Sequence, residues 1–316
     1  MQRLSGIGVT VAGAGALGLS IAVELARAGA EVTVCDPAPL GDNASGVAAG
    51  MLAPAFEALL DPVSAGRFPL FKAARDLWPD FAASLDLKLE RSGAILTGAG
   101  EGELARLLAL GARGSLAPAG LYTPEDWRLD PLAALTAMSG VAIRQEAVTQ
   151  PDGLTIVATG AEIGLAPELT SLTPIKGHIL RYSGGPAGGP VLRGAGIYVC
   201  PDPNGAIAGA TMEVGVSDRG LSPARGAILQ AKAEALVPAL AGLTPTLSAG
   251  VRAATPDGLP LVGWSAREGV FVAAGARRNG WLLAPLVARM TAAYLAGEDP
   301  GPWADAMNPR RFEETT

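Results

Sequence analysis

Residues 9–36 read VTVAGAGALGLSIAVELARAGAEVTVCD: an apolar run, glycines at GxGxxG spacing, a helical stretch and a second apolar run that ends on Asp36. The pattern predicts a buried strand over 7–12, a turn from Gly13 to Gly18, a helix over 16–28 and a strand over 31–35, which is a βαβ unit. Each glycine has a physical task. Gly13 permits the tight turn, Gly15 lets the backbone approach a pyrophosphate, and Gly18 allows close helix–strand packing. Ala16 and Leu17 open the helix, whose free amides and partial positive charge attract phosphates. Asp36 lies 18 residues beyond Gly18, where a carboxylate accepts from ribose hydroxyls and disfavours a 2′-phosphate. The motif points to NAD or FAD rather than NADP, and by itself does not separate the two.

The 316 residues suffice for one large or two medium domains with full cores. Hydrophobic residues make up 49% and charged residues 17%, with 42 glycines and 25 prolines, which suits a buried, loop-rich α/β chain. A net charge of -6 argues against a nucleic-acid partner. Two cysteines, Cys35 and Cys200, and one histidine, His178, cannot supply a metal cluster or a Ser-His-Asp triad. Without CxxC spacing the cysteines read as reduced thiols of a cytoplasmic protein. Residues 6–23 are uncharged, yet their five glycines and the following Glu24 and Arg27 predict strand, turn and helix, not a leader or membrane span.

Further along, residues 67–90 predict one or two amphipathic helices interrupted at Pro79, and GAILTGAG a strand and turn. Asp130 and Pro131 are an N-cap and first helical residue for a helix over 130–138. Residues 152–163 predict a buried strand and small-residue turn, and 174–214 alternate in the manner of antiparallel sheet. A helix over 222–240, the strand VFVAAGA and the helix GWLLAPLVARMTAAYLAG complete the chain. These signals predict a nucleotide domain built from separated segments and interrupted by a second domain.

The loop NASGVAAGMLAPAFE, residues 43–57, is uncharged and small where an NAD enzyme would enter another helix. It resembles the loop that wraps the FAD pyrophosphate and flavin in the D-amino-acid oxidase and glycine oxidase family. IVATG (156–160), IYVCPDPNGAIAGATME, GVRAATPDGLPLVG (250–263) and AAGARRNGWLLAP (273–285) resemble further blocks of that family in the same order. The pattern is most similar to glycine oxidases of thiamine biosynthesis. The resemblance covers most of the chain and leaves roughly 60–130 poorly matched, and it implies an α/β, Rossmann-like, discontinuous FAD-binding domain over 1–80, 131–170 and 250–316. The inserted substrate domain, built on an antiparallel sheet, would take 81–130 and 171–249.

By the same resemblance Arg252 clamps the substrate carboxylate as a bidentate fork, Tyr198 reaches it with its hydroxyl, and Arg278 lies near the flavin carbonyl and the substrate. Arg277, its neighbour, is expected to face solvent. Met51 and Met212 would line the active site. Ser45, Ala48, Ala49, Gly50 and Met51 would form the cofactor loop, Val148 would meet the adenine, and Thr159 and Gly160 would close over the FAD. Gly275, Asn279, Gly280, Trp281 and Leu282 would offer backbone groups to the pyrimidine end of the flavin. The family histidine of this block is Ala276 here. His178 is expected to be a half-buried structural residue.

These residues imply oxidation of glycine or another small amino acid, by hydride transfer from a clamped, neutral amine to flavin N5. The imine would be hydrolysed and oxygen reduced to hydrogen peroxide. The rivals are a D-amino-acid dehydrogenase that passes electrons to a quinone and a non-catalytic flavin-binding module. With no cysteine in residues 273–285 the FAD is expected to be noncovalent. The expected partners are a small amino acid and oxygen, with no nucleic acid and no membrane span, and a homo-oligomer is allowed for.

Overall fold

The computed structural model describes residues 3–186, 188–202 and 204–313. The predicted βαβ unit is present as β1 (Gly8–Ala12), α1 (Ala16–Arg27) and β2 (Glu31–Cys35), with β1 and β2 parallel and Val11 opposite Val34. Two of the three motif glycines are enforced sterically. Gly13 has φ +114°, and a Cβ there would overlap the Ala158 carbonyl oxygen; a Cβ on Gly18 would overlap the carbonyl oxygen of Gly13 itself. Gly18 thus packs the helix down on the turn.

β1 and β2 belong to a six-stranded sheet in the order Leu261–Trp264, Val270–Ala274, Thr155–Val157, β1, β2, Ala142–Arg144. All its neighbours are parallel except the Leu261–Trp264/Val270–Ala274 pair. α1 packs on the C-terminal helix Gly280–Ala296, and Leu19, Ile21, Leu25, Leu282, Leu283 and Val287 share one core. Burial of a Leu or Ile side chain contributes about 2 kcal/mol, so this helix pair fixes the sheet's covered face.

A second, nine-stranded sheet runs Thr246–Ala254, Thr173–Ser183, Gly205–Gly209, Ile197–Asp202, Val191–Gly194, Ala94–Thr97, Gly120–Thr123, Ser115–Ala117, with Glu213–Val214 also on Thr173–Ser183. Its pairs are antiparallel apart from Ala94–Thr97 with Val191–Gly194. The division expected between 249 and 250 falls inside the strand Thr246–Ala254. Met51–Leu52, Trp127–Leu129 and Leu89–Glu90 form a separate small antiparallel sheet.

Local signals held at several ends. Asp130 caps Pro131–Met138 by accepting from the amides of Leu132 and Ala133. The helices Phe68–Asp76 and Trp78–Ala83 meet at Leu77, with Pro79 in the first turn of the second. The strand predicted over 152–163 is confined to Thr155–Val157, and the helix predicted to 240 ends at Leu236, before Pro238.

Helix Pro54–Leu60 has its cap supplied from elsewhere in the chain. The buried Asp126 carboxylate accepts from the amides of Ala55 (2.8 Å) and Phe56 (3.2 Å). Burial pushes its carboxyl up to about 6, against the opposing pull of Arg193 and of these amides. A folded pKa above the unfolded one means stability that is complete below about pH 4 and lost as pH rises through 6. Relative to Asp126→Asn, the wild-type protein should therefore lose roughly 3 kcal/mol of unfolding free energy between pH 4 and pH 7. Parallel denaturant titrations of the two proteins check this; parallel pH profiles would contradict it.

Candidate active site

A cleft of about 710 Å³ opens over the carboxyl ends of the parallel strands, where open α/β sheets bind ligands. Gly13, Gly15, Ala16 and Leu17 line one end with Asp36; Ser45 and Ala48, Val148, Thr159 and Gly160 line its flanks; Gly275, Arg278, Gly280 and Trp281 line the other end. Asp36 accepts from the Ala14 amide (2.8 Å) and the Ala38 amide (2.9 Å), which fixes the carboxylate and leaves each oxygen a lone pair for a hydroxyl donor. Ser45 Oγ accepts from the Ala16 amide at the start of α1 (2.9 Å), and a Cβ on Gly15 would lie 3.1 Å from that oxygen. A side chain at 15 would fill the cradle. These are parts that fit a dinucleotide: a fixed acceptor for ribose at one end and bare amides for phosphate beside it.

The loop over the cleft is held from two sides. Asn43 Oδ1 accepts from the Ser45 and Gly46 amides while its Nδ2 donates to the Ala14 carbonyl (3.3 Å), tying the loop to the glycine turn. Arg181 Nη2 donates to the carbonyls of Gly46 and Val47, both at 2.9 Å.

A second cavity of about 460 Å³ joins the cleft at Ala44, Ala48, Arg252, Arg278 and Trp281, which line both. Arg252, Tyr198, Arg278, Met51 and Met212 all line it. The large sheet places Arg252 and Tyr198 by register. Arg193, Tyr198, Gly209, Ile179 and Ser248 stand opposite one another across five strands, and Gly250 and Arg252 follow Ser248 at alternate positions on the same face. Space under these side chains comes from glycine. A Cβ on Gly177 would overlap the Arg252 guanidinium, and one on Gly209 would lie 2.7 Å from the Tyr198 hydroxyl.

Arg252 Nη2 donates to the Thr211 carbonyl (2.9 Å) and Nη1 approaches Met212 Sδ (3.4 Å). Burial works against its charge. Burial also pushes the Tyr198 hydroxyl well above its ordinary value, so it stays protonated and can donate. Arg278 forms a bidentate pair with Glu57 (2.6 and 2.9 Å), and Arg193 Nη2 donates to the same carboxylate (3.1 Å) and lies 3.5 Å from Met51 Sδ. Burial would raise the Glu57 pKa, but the Arg278 and Arg193 guanidiniums outweigh it and hold the carboxyl low.

Several predicted residues are placed differently from expectation. Arg277 does not face solvent: it has φ +53°, its side chain is 14% exposed, and it pairs with buried Asp61. Ala49, Gly50, Met51 and Asn279 line the smaller cavity rather than the cofactor cleft. The Leu282 side chain lies in the core and faces neither, so only its amide, in the first turn of Gly280–Ala296, is available. His178 is fully buried, not half-buried. Its Nε2 accepts from the Ser222 amide (3.1 Å), which puts the ring proton on Nδ1, facing Glu213 (2.9 Å).

Glu57, Arg193, Arg181 and Asn43 are the functional side chains that the sequence reading missed. For Arg193 a signal existed. RGAGIY forms a hairpin with Ala195 and Gly196 both at positive φ, the two-residue turn that sets Arg193 opposite Tyr198. Asn43 was legible as a cap before ASGV.

The chain is similar along 97% of its length to the tRNA 5-methylaminomethyl-2-thiouridine biosynthesis bifunctional protein MnmC of Maricaulis maris, at 30% identity, and spans 55%, about half, of that protein. It is 32% identical to the putative thiamine biosynthesis oxidoreductase ThiO of Rhizobium etli, over 93% of this chain and 98% of that one. The crystal structure of glycine oxidase from Geobacillus kaustophilus superposes with a TM-score of 0.83 at 25% identity, covering 96% of this chain and 98% of the other. The family described as DAO, FAD dependent oxidoreductase, matches residues 8–294. The chain belongs to that DAO family of FAD-dependent oxidoreductases, in its glycine oxidase-like branch, and its cofactor is FAD.

Proposed function

We propose that this protein oxidises the amine of glycine or another small amino acid, with oxygen as the final acceptor. The reading rests on one observation: Arg252, Tyr198 and Arg278 converge on a cavity that opens into the cofactor cleft. Glycine oxidase is also what the superposing crystal structure is named. A cytoplasmic location is part of the proposal, and two buried, unpaired cysteines accord with it. Among the described residues no helix is long and apolar enough to cross a membrane.

FAD, when bound, supplies a two-electron acceptor for the hydride on the substrate α-carbon. The rest falls to the chain. Arg252, preset by its bond to Thr211, takes the carboxylate, and the protonated Tyr198 hydroxyl donates to it. Met51, Met212, Ala48 and Trp281 give the cavity apolar walls that keep water from the α-carbon. Glu57, the acid lining the cavity, is held ionised between two guanidiniums and is no proton acceptor at neutral pH. The amine must therefore enter neutral. Loss of hydride and the amine proton gives the imine, which water converts to the keto or glyoxylate-type acid and ammonia; oxygen takes up the two electrons and two protons and leaves as hydrogen peroxide.

The likeness to MnmC raises a second reading, an amine carried on a tRNA base. The net charge of -6 weighs against a polyanionic partner. A dehydrogenase that delivers electrons to a quinone differs from the oxidase only in the acceptor.

The purified protein should be yellow, and anaerobic glycine, sarcosine, D-alanine or D-proline should bleach it; a protein that none of them bleaches would overturn the amine reading. Peroxide formed in air, one per imine, marks the oxidase; bleaching without peroxide marks the quinone-linked rival. Replacing Arg252 by Ala should raise KM about 100-fold, the loss of a charge-assisted pair, and Tyr198→Phe roughly 5-fold, the loss of a neutral donor. An unchanged KM in Arg252→Ala would remove it from the site.

A further inference from the structure

The proposed carboxylate clamp leaves one cation of the cavity unexplained. Arg252 and Arg278 line both the cofactor cleft and the smaller cavity, whereas Arg193 lines the smaller cavity alone. Its side chain is 7% exposed, and its Nε has no hydrogen-bond partner among the described residues. A guanidinium taken out of water with a donor idle is costly unless a ligand completes it.

The bland alternative is that Arg193 exists to neutralise Glu57. The geometry speaks against that as its whole task. Glu57 already receives both donors of the Arg278 fork at 2.6 and 2.9 Å, whereas Arg193 reaches one of its oxygens with one nitrogen at 3.1 Å. Glu57 is the acid among the residues lining the cavity and Arg193, Arg252 and Arg278 are the cations, so pairing Glu57 with Arg278 leaves two. The Asp126 carboxylate behind the wall lies near Arg193, but its oxygens accept from the Ala55 and Phe56 amides instead.

The two surplus cations rise from strands that are not neighbours. From the Arg252 strand to the Arg193 strand there are four strand spacings, roughly 19 Å between backbones, with Tyr198 opposite Arg193 and the bare Gly209 and Gly177 between. The Arg252 guanidinium lies over Gly177 on the next strand and Arg193 rises from three strands further on, so an anion at Arg193 would be a second one, beside the carboxylate at Arg252. We propose that Arg193 is a specificity residue that binds a second anionic group, and that the substrate is an amine carrying an acidic group at each end: an N-carboxyalkyl glycine or a related diacid. This inference rests on the amine-oxidation reading and specifies its substrate class.

The test uses the FAD-loaded enzyme and two kinds of measurement. Binding is read without turnover, from the perturbed flavin spectrum, with the inert thioether diacid thiodiacetate and its monoacid counterpart methylthioacetate. The diacid should bind at least 10-fold tighter than the monoacid in the wild type, and Arg193→Gln should abolish that difference; Arg193→Lys should restore part of it. In turnover, kcat/KM for iminodiacetate should exceed that for sarcosine and fall at least 10-fold further than that for sarcosine in Arg193→Gln. Equal affinity of the two thioethers, or an equal loss for diacid and monoacid in Arg193→Gln, would overturn the proposal and leave Arg193 as a support for Glu57. A diacid preference in binding with no bleaching by any amine would instead sink the amine reading and leave the second anion subsite standing.

Discussion

One buried carboxylate joins the parts of this molecule that make the site. Glu57 sits on helix Pro54–Leu60, directly after the loop that covers the cofactor cleft; its partners are Arg278, in the turn that follows the parallel-sheet strand Val270–Ala274, and Arg193, on the large sheet. A buried ion set of this kind adds little net stability over apolar packing, yet removing one member leaves an unpaired charge and costs several kcal/mol. Its value is geometric. The three segments can come together only in the arrangement that sets Arg278 between cleft and cavity. Asp126 reinforces this by holding the helix start through the Ala55 and Phe56 amides.

The sheet face that lines the smaller cavity is shaped as much by what is missing from it as by what projects from it. Sheet side chains stand perpendicular to the strands, and a large Arg and Tyr can lie along the face only if their neighbours vanish. Gly177, Gly209 and Gly250 do so on three adjoining strands; a Cβ at 250 would come within 3.0 Å of Ala44 in the cofactor loop. The same bareness that seats Arg252 and Tyr198 therefore lets the loop settle on the sheet, joining the two cavities.

Legibility in the sequence followed the range of the interaction. The βαβ unit was readable because its parts are local: Gly18 and Asp36 act within one turn and the next strand, and the Asp130 cap acts within three residues. Arg252, Tyr198 and Arg278 were readable through resemblance in their flanking blocks; sheet register brings the first two to one cavity, and the pair with Glu57 brings Arg278 there. Glu57 was not, because its partners lie 136 and 221 residues away and nothing near PAFEALL marks an acid that will be buried. Arg277 was misjudged for a different reason. Strand alternation was applied to a turn: at φ +53° its amide turns to the Ala253 carbonyl and its side chain swings to Asp61.

His178 shows how a residue with no place in the chemistry can still control the site. Its ring ties strand Thr173–Ser183 to Glu213 on one side and Ser222 on the other, and Lys176, two residues earlier, pairs with Asp218. The intervening segment is thus pinned at both ends, and its Arg219 pairs with Asp42 at the rim of the cofactor cleft, which Ser217 and Arg219 both line. The exposed Arg219–Asp42 pair contributes under about 1 kcal/mol; the buried ring, with both nitrogens satisfied, is the member that cannot be lost without freeing polar groups in the interior. The cleft's rim over Asp42 is consequently set by the same strand whose Gly177 makes room for Arg252, so the cofactor cleft's edge and the seat of Arg252 share one structural origin.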